Sequence, residues 1–341
     1  MKVDFRSDTV TKPSKEMLDV MFSANVGDDV FGEDYLTTDL ENYAANLFGK
    51  EAAIFCPSGT MTNQIGIRLH TNIGSEVICD KLSHVYNYEG GGIAAHSLSS
   101  VKLLNGEGGQ PTAEMIKNAI NADDIHFPNT SLISIEDTCN KGGGTYYEIS
   151  ELKKIKELAN QYNLPTHLDG ARVFNGLVER KIADYTNYGS YFDTISICLS
   201  KGLGAPVGSL LLGTKKHVFQ AKRIRKMFGG GMRQTGYLAS AGLFALKNNI
   251  NRLEDDHEKA KKIVSLLSKK GTIKKVYPAI TNIVIFECES ENSKQILINN
   301  LADKGVKVVS FGDAKIRMVT HLDITDKMMD YSLNILDEII D

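Results

Sequence analysis

The sequence lacks the features that mark several large classes of protein. It contains no apolar run as long as a membrane-spanning helix, and its first ten residues lack the apolar core of a secretory signal peptide. Its formal net charge is −3, which gives no basic surface for nucleic acid or for a lipid headgroup. We therefore expect no nucleic-acid partner and no membrane association.

Nucleotide-binding motifs and paired cysteines are also missing. No G-x-G-x-x-G follows a predicted strand and no P-loop is present, which argues against a dinucleotide enzyme. The five cysteines are scattered without any C-x-x-C pair, a pattern that predicts reduced, packed thiols and a cytoplasmic location. The evidence for function must therefore come from individual polar residues and their surroundings.

Helical and strand patterns alternate along almost the whole chain. One helix is predicted over residues 38–48, where Thr38 and Glu41 have the spacing of a capping box. Short apolar runs, such as residues 52–55 and 132–135, predict buried strands. Such alternation is typical of a layered α/β sheet.

The length of 341 residues is sufficient for two domains. We expect a large domain over residues 1–247, which includes an extended N-terminal arm. The pattern of strands and helices after it predicts a small C-terminal α/β domain over residues 248–341.

A single lysine, Lys201, lies between two apolar runs, residues 194–199 and 207–212, that predict buried strands. Gly202 and Gly204 follow it and leave room for a flat group close to the backbone. A loop lysine is usually solvated, but one held in a covered site can react through its amine with a carbonyl cofactor. Lys201 is therefore a candidate Schiff-base residue.

An acid and an arginine follow another predicted strand. Asp169 comes directly after a strand predicted over residues 164–168, and Arg172 lies three residues further on. Sites in open α/β sheets gather at the carboxyl ends of strands, which favours a functional role for Asp169. Alternatively, Asp169 is only a turn acid, or the two residues form a structural ion pair.

The segment Ser58, Gly59 and Thr60 starts a predicted helix after a strand. Ser58 is a suitable N-cap, and the free N–H groups of a helix start bind phosphate readily. The segment is equally consistent with an ordinary N-cap that binds nothing.

Three further residues are candidates for contacts with an aromatic ring or an anion. His84 lies in a loop rich in tyrosine and glycine and could stack on a flat ring, although loop histidines are usually surface residues. Arg233 follows a basic helix end and either is solvated or supplies a cation to an anion. Arg317 alternates with apolar neighbours in a predicted strand.

Together these residues have the chemistry of a pyridoxal phosphate (PLP) site, and the order of acid before lysine fits that reading. Seven ordered motifs strengthen it: RSDTVTKPS, VGDDVFGED, GKEAAIFCPSGT, HLDGARVFN, SICLSKGLGAPVGS, GGGMRQ and RMVTHLD. In their residues and in their order along the chain, these motifs resemble those of the threonine aldolase family. The resemblance implies PLP fold type I, with a mixed, mostly parallel seven-stranded sheet, a small C-terminal domain, and assembly as tetramers or at least dimers.

The resemblance also implies roles for the residues of the cofactor site. Lys201 corresponds to the Schiff-base lysine, and Asp169 to the partner of the pyridinium nitrogen. His84 corresponds to the residue stacked on the ring. Arg233 resembles the residue that reaches the phosphate of a neighbouring subunit.

The substrate contacts are implied in the same way. Arg172, which also lies near the cofactor in the family, is expected to hold the substrate carboxylate together with Ser7 and Arg317. His84 and His126 correspond to the histidines near the substrate hydroxyl, and either of them, or a water molecule, could be the base.

We therefore expect a lyase that cleaves L-threonine or L-allo-threonine to glycine and acetaldehyde. Another PLP reaction on the same scaffold is the main alternative: a β-eliminating lyase, a racemase or a phenylserine aldolase. A catalytically silent oligomer that binds an anion at residues 58–60 is a further one. Cys139 stands where family members commonly carry histidine, which affects substrate preference rather than reaction type.

Overall fold

The computed structural model describes residues 1–340. Within these residues the strands are β1 (Val3–Asp4), β2 (Ala52–Cys56), β3 (Glu76–Asp80), β4 (Ser100–Leu104), β5 (Thr130–Glu136), β6 (Thr166–Gly170), β7 (Thr194–Cys198), β8 (Ser209–Gly213), β9 (Ile273–Val276), β10 (Ile283–Cys288), β11 (Val306–Lys307), β12 (Val309–Ser310) and β13 (Lys315–Val319). The helices are α1 (Lys15–Phe22), α2 (Tyr35–Leu47), α3 (Gly59–His70), α4 (His84–Asn87), α5 (Gly92–Ser97), α6 (Ala113–Ala119), α7 (Ile149–Gln161), α8 (Val173–Glu179), α9 (Tyr185–Gly189), α10 (Lys215–Met227), α11 (Gly236–Asn248), α12 (Leu253–Leu267), α13 (Glu291–Asp303) and α14 (Asp326–Ile339).

Seven strands form one mixed sheet in the order β2-β8-β7-β6-β5-β3-β4. Only β8 runs antiparallel to its neighbours, so the sheet is mostly parallel, as predicted. Its central strands are buried on both faces because helices cover both sides of the sheet. The carboxyl ends of β2, β5, β6 and β7 consequently lie at one edge.

A second, smaller sheet is antiparallel, with the order β12-β13-β10-β9. It packs with α12, α13 and α14 around a second hydrophobic core. Val3 and Phe5 of the N-terminal arm lie in this second core, and β1 pairs in parallel with β11. Helix α12 contributes Leu253 to the core of the large sheet and Ile263 to the second core. The boundary at residue 248 stays a prediction.

Helix α2 begins earlier than its sequence pattern predicted. Its N-cap is Asp34, not Thr38, so the predicted capping box is wrong. The reason is that Glu41 is not free to cap, because its Oε1 atom accepts the backbone N–H of Phe55 at 2.8 Å. Burial raises the pKa of Glu41 to about 7.

The loop that contains His84 is more ordered than predicted, since it includes the two short helices α4 and α5. The helices of residues 1–340 are short, and none combines the length and the apolar content that a bilayer crossing requires. All five cysteines are buried and unpaired, which confirms the prediction of packed thiols.

Candidate active site

The sheet brings the predicted lysine, acid and helix start to the same edge. Asp169 is the penultimate residue of β6, and Lys201 follows the end of β7 in the next strand position. Ser58 follows the end of β2, which is parallel to both strands. This is the carboxyl edge, where ligands bind in open α/β sheets.

The carboxylate of Asp169 is buried with one oxygen unpartnered. The residue is 1% exposed, and its Oδ1 atom accepts the backbone N–H of Ala171 at 3.2 Å. Its Oδ2 atom has no hydrogen-bond partner in the described chain. Because buried polar atoms are almost always satisfied, this oxygen requires a donor from a ligand. The ring N–H of a pyridinium group would supply such a donor.

Lys201 lies in a tight turn, with its charge close to an acid and a histidine. Its carbonyl accepts the N–H of Gly204 at 2.8 Å, and Gly204 adopts a left-handed φ of 81°. The ammonium charge helps to lower the pKa of Asp8, and it opposes the overall rise in the pKa of His84. The amine is therefore directed towards the same space that Asp169 and His84 border.

The start of α3 offers a site for an anion. Ser58 Oγ accepts the N–H of Met61 at 3.2 Å, while the N–H groups of Gly59 and Thr60 have no acceptor within the helix. Ser209 contributes a further hydroxyl, because a Cβ added to Gly59 would lie 3.5 Å from its Oγ atom. That Oγ is buried without a partner. These groups fit a phosphate.

His84 is held from two sides. Its Nδ1 atom lies 3.0 Å from Glu89 Oε1, and its backbone N–H donates to Glu136 Oε2 at 2.8 Å. Burial alone would lower the pKa of His84, but the carboxylates of Glu89 and Asp169 outweigh burial and raise it. Nitrogen or oxygen atoms of His84, Glu89 and Asp169 lie within 4.8 Å of one another, so the three side chains form one cluster.

Arg172 forms a buried, bidentate ion pair with Asp8. Its Nε donates to Asp8 Oδ2 at 2.8 Å and its Nη2 to Oδ1 at 2.6 Å. Burial would raise the pKa of Asp8, but the charge of Arg172 outweighs it and holds the pKa at about 2. The alternative of an ion pair between Asp169 and Arg172 is therefore wrong.

We expect the variant Asp8→Asn to lower the free energy of unfolding by about 3–5 kcal/mol at neutral pH, because it leaves the buried charge of Arg172 unpaired. Asp8 has its pKa depressed below the ordinary 3.8, so its stabilisation is present above pH 3.8 and lost as the pH falls towards 2. Urea titrations of the wild type and the variant at several pH values measure this loss of stability. The control Asp4→Asn, in the exposed pair with Arg6, should cost at most about 1 kcal/mol.

An equal loss in the two variants would contradict the assignment of Asp8 as the buried partner of Arg172. So would a difference between wild type and Asp8→Asn that persists undiminished at pH 2.

Arg317 is a half-buried cation that has no carboxylate partner among residues 1–340. Its Nη1 donates to Asn140 Oδ1 at 2.9 Å and its Nη2 to the carbonyl of Arg6 at 3.1 Å, while its Nε is buried without a partner. Burial, and then the neighbouring charge of Arg172, lower the pKa of Arg317 to about 10. The positive charge of Arg317 is therefore one that a substrate carboxylate could neutralise.

Ser7 joins this group, whereas two other predicted residues do not. Ser7 Oγ lies 3.4 Å from Asp8 Oδ1. His126 precedes β5 at the opposite edge of the sheet, where its 79% exposed side chain contacts Asp124 at 2.7 Å. Arg233 is half exposed and donates to Asp28 Oδ2 at 2.9 Å. In residues 1–340, neither His126 nor Arg233 has a hydrogen bond to the residues around Lys201.

The sequence patterns did not single out five residues of this site as functional: Asp8, Glu89, Glu136, Asn140 and Ser209. Glu136 could have been predicted, since it lies at the carboxyl end of a buried central strand, where it pairs with Asp169 in the register of β5 and β6. Burial and the nearby charge of Asp169 raise the pKa of Glu136 to about 7. Asp8 and Ser209 lie within the motifs RSDTVTKPS and SICLSKGLGAPVGS, whereas Glu89 and Asn140 belong to none of the seven motifs.

Comparisons with known proteins agree with this arrangement. The profile of the Beta-eliminating lyase family matches residues 4–290. The low specificity L-threonine aldolase of Escherichia coli K12 is 40% identical over 328 residues, 96% of this chain and 96% of that protein. The solved threonine aldolase of Leishmania major has a TM-score of 0.84 at 21% identity, covering 99% of this chain and 100% of that one.

A structure described as SPT with PLP has the same fold, with a TM-score of 0.74 at 14% identity, covering 99% of this chain and 87% of that one. The fold is thus PLP fold type I, as predicted. By its profile match and by its 40% identity to a low specificity L-threonine aldolase over nearly the full length, the chain is a lyase that belongs to the threonine aldolases of the beta-eliminating lyase family.

Proposed function

We propose that this protein cleaves L-threonine and L-allo-threonine to glycine and acetaldehyde, with PLP bound at Lys201. The observation that carries the proposal is the buried, unpartnered oxygen of Asp169 at the same sheet edge as the lysine amine. The names of the relatives supply the substrate, and the unneutralised Arg317 supports an amino acid carboxylate.

The residues that would hold PLP are those with unused bonding capacity. Lys201 would bind its carbonyl carbon, Asp169 its ring N–H, and the start of α3 with Ser209 its phosphate. The ring of His84 would lie against the cofactor ring. When bound, PLP withdraws the electron pair of a bond broken at the substrate Cα.

Arg317 would fix the substrate carboxylate, and Arg172, whose Nε and Nη2 atoms bind Asp8, would add positive charge beside it. Guanidinium groups match a carboxylate with paired donors, a geometry that lysine cannot reproduce. Ser7 would add a hydroxyl beside them. Fixing the carboxylate sets which bond on Cα is aligned for cleavage, so these residues select the reaction by orientation.

His84 would take the proton of the β-hydroxyl group. As that proton leaves, the Cα–Cβ bond breaks, acetaldehyde departs, and Cα then takes up a proton to give glycine. A general base contributes about 10²–10⁴ in rate. His126 could serve only if another subunit brings it to the site, because in this chain it lies at the opposite edge of the sheet.

The variant Arg317→Gln should raise the KM for threonine by about 10- to 150-fold, since a hydrogen bond to a charged group is worth about 1.5–3 kcal/mol. The Kd for PLP should change little, because no contact of Arg317 faces Asp169 or α3. Arg223→Gln, on the surface of α10, serves as the matched control and should change neither constant. A larger effect on PLP than on threonine would contradict the carboxylate role.

Product analysis tests the proposal directly. The purified protein with PLP is incubated with threonine, allo-threonine and serine, and the products are identified. Acetaldehyde and glycine from threonine are expected. Keto acid and ammonia without glycine would instead indicate β-elimination, the reaction that gives the family its name.

We further propose a homo-oligomer, a tetramer by analogy with the family and at least a dimer, located in the cytoplasm. Phe22, Phe31 and Tyr35 are 82%, 74% and 76% exposed, and such apolar surface is typical of a contact between subunits. An adjacent subunit could then receive Arg233 at its phosphate site. The free thiols support the location.

A further inference from the structure

Glu89 is a buried carboxylate surrounded by donors. Its side chain is fully buried, and Oε1 accepts from Asn63 Nδ2 at 2.8 Å while Oε2 accepts from Gln64 Nε2 at 2.6 Å. The Nδ1 atom of His84 lies 3.0 Å from Oε1. An ionised carboxylate only accepts hydrogen bonds, so the hydrogen between Nδ1 and Oε1 belongs to His84.

The carboxylate of Glu89 sets the direction of the hydrogen bonds in a chain of buried polar groups behind it. Because the Asn63 amide donates to Glu89, its Oδ1 accepts from His167 Nε2 at 3.2 Å. His167 Nδ1 must then accept from the hydroxyl of Thr194 at 2.9 Å, whose oxygen accepts from His70 Nε2 at 3.0 Å. Burial lowers the pKa of His167 to about 3, so it is neutral and carries the single proton that this order requires. Asn63 keeps its amide towards Glu89 because a turned side chain would place the amide oxygen against the carboxylate.

This arrangement determines which nitrogen of His84 is available for chemistry. With a proton on Nδ1, the neutral imidazole has its lone pair on Nε2. The ring is 32% exposed, so one edge remains accessible. The other groups that face His84 are Asp169, Lys201, Tyr88 and, through the backbone, Glu136.

We infer that Glu89 is a positioning residue that holds His84 in the Nδ1-protonated tautomer, which makes Nε2 the atom that receives the hydroxyl proton of the substrate. This inference rests on the proposed aldol cleavage.

The test is the variant Glu89→Gln, assayed as the PLP-loaded protein over a range of pH. Its kcat should fall by up to about 10²-fold, because general-base catalysis of this proton transfer is impaired. In the pH profile of kcat, the acid limb should also move to lower pH. The sign follows because Glu89 raises the pKa of His84, and His84 must be neutral to accept a proton. Loss of the Glu89 carboxylate lowers the pKa of His84 and so widens the pH range in which His84 is neutral.

Two variants separate positioning from a merely structural role. Glu89→Asp keeps the charge, so its acid limb should stay near that of the wild type even if kcat falls. Glu41→Gln alters another buried glutamate, one that bonds the backbone of Phe55 and not His84, and it should leave the limb unmoved. An unmoved limb in Glu89→Gln would overturn the inference, while absence of cleavage in the wild type would overturn the proposed function instead.

A second measurement requires no activity and no variant. Nitrogen-15 NMR of the PLP-loaded wild type, without substrate, reports which imidazole nitrogen of His84 carries hydrogen. The expected result is a protonated Nδ1 and an unprotonated Nε2 above the pKa of His84. The opposite tautomer would overturn the inference.

Discussion

Replacing Lys201 by alanine should abolish threonine cleavage. The variant lacks the amine whose charge acts on both Asp8 and His84 at the carboxyl edge of the sheet. Covalent attachment of the cofactor and its activation both depend on that amine. Acetaldehyde release, measured with saturating PLP and threonine, should fall to the rate of the reaction without enzyme.

A second buried lysine provides the matched control. Burial lowers the pKa of Lys50 to about 8, so its amine is also a plausible nucleophile. It donates instead to the carbonyl of Phe192, just before β7 and therefore at the opposite edge of the sheet. Lys50→Met should retain cleavage. Turnover retained in Lys201→Ala, or lost only in Lys50→Met, would refute the assignment.

The variant Asp169→Asn should cause the second-largest loss. An amide cannot hold a ring nitrogen in its protonated, positive form, so electrons from the broken bond are stabilised less. Removing one preorganised electrostatic partner typically costs about 10²–10³ in kcat. The Kd for PLP should rise by about 10- to 150-fold, the value of one hydrogen bond to a charged group.

Cleavage at saturating PLP and the spectroscopic Kd together measure this effect. Asp193→Asn provides the control, because that carboxylate bonds Lys156 and Thr166 at the amino edge of the sheet. Its effect should be on stability and not on PLP. Wild-type kcat in Asp169→Asn would contradict the role of the unpartnered oxygen.

The catalytic pair could be predicted from the sequence because local patterns place it. Lys201 follows one buried strand and Asp169 lies at the carboxyl end of another, and parallel strands bring their carboxyl ends to one edge. The same reasoning places Ser58 at the helix start. The prediction of these three positions depends on short-range periodicity and on the rule that ligands bind at the carboxyl ends of the strands in open α/β sheets.

The partners of the arginines could not be predicted in this way. Asp8 and Arg172 are 164 residues apart in the chain, and Arg317 is 177 residues from Asn140. No periodicity links such positions, since only the packing of the arm and the second sheet against the large sheet brings them together. The prediction of the start of α2 was wrong because Asp34 caps the helix in place of Thr38, and because Glu41 bonds the backbone of Phe55.

The distribution of these contacts has a consequence for substrate binding. Arg317 lies in the small sheet, Asn140 follows β5 of the large sheet, and Ser7 and Asp8 belong to the N-terminal arm. A carboxylate bound by Arg317 therefore contacts the point where all three parts of the chain meet. Fixing the substrate and joining these parts depend on the same charged groups.

Mass spectrometry of the protein, loaded with PLP, reduced with borohydride and digested, tests the central claim most directly. The reduced cofactor should be found on the peptide that contains Lys201, and loss of that label on competition with threonine should accompany glycine formation. Label on Lys50 or another lysine, with the Lys201 peptide unmodified, would contradict the account.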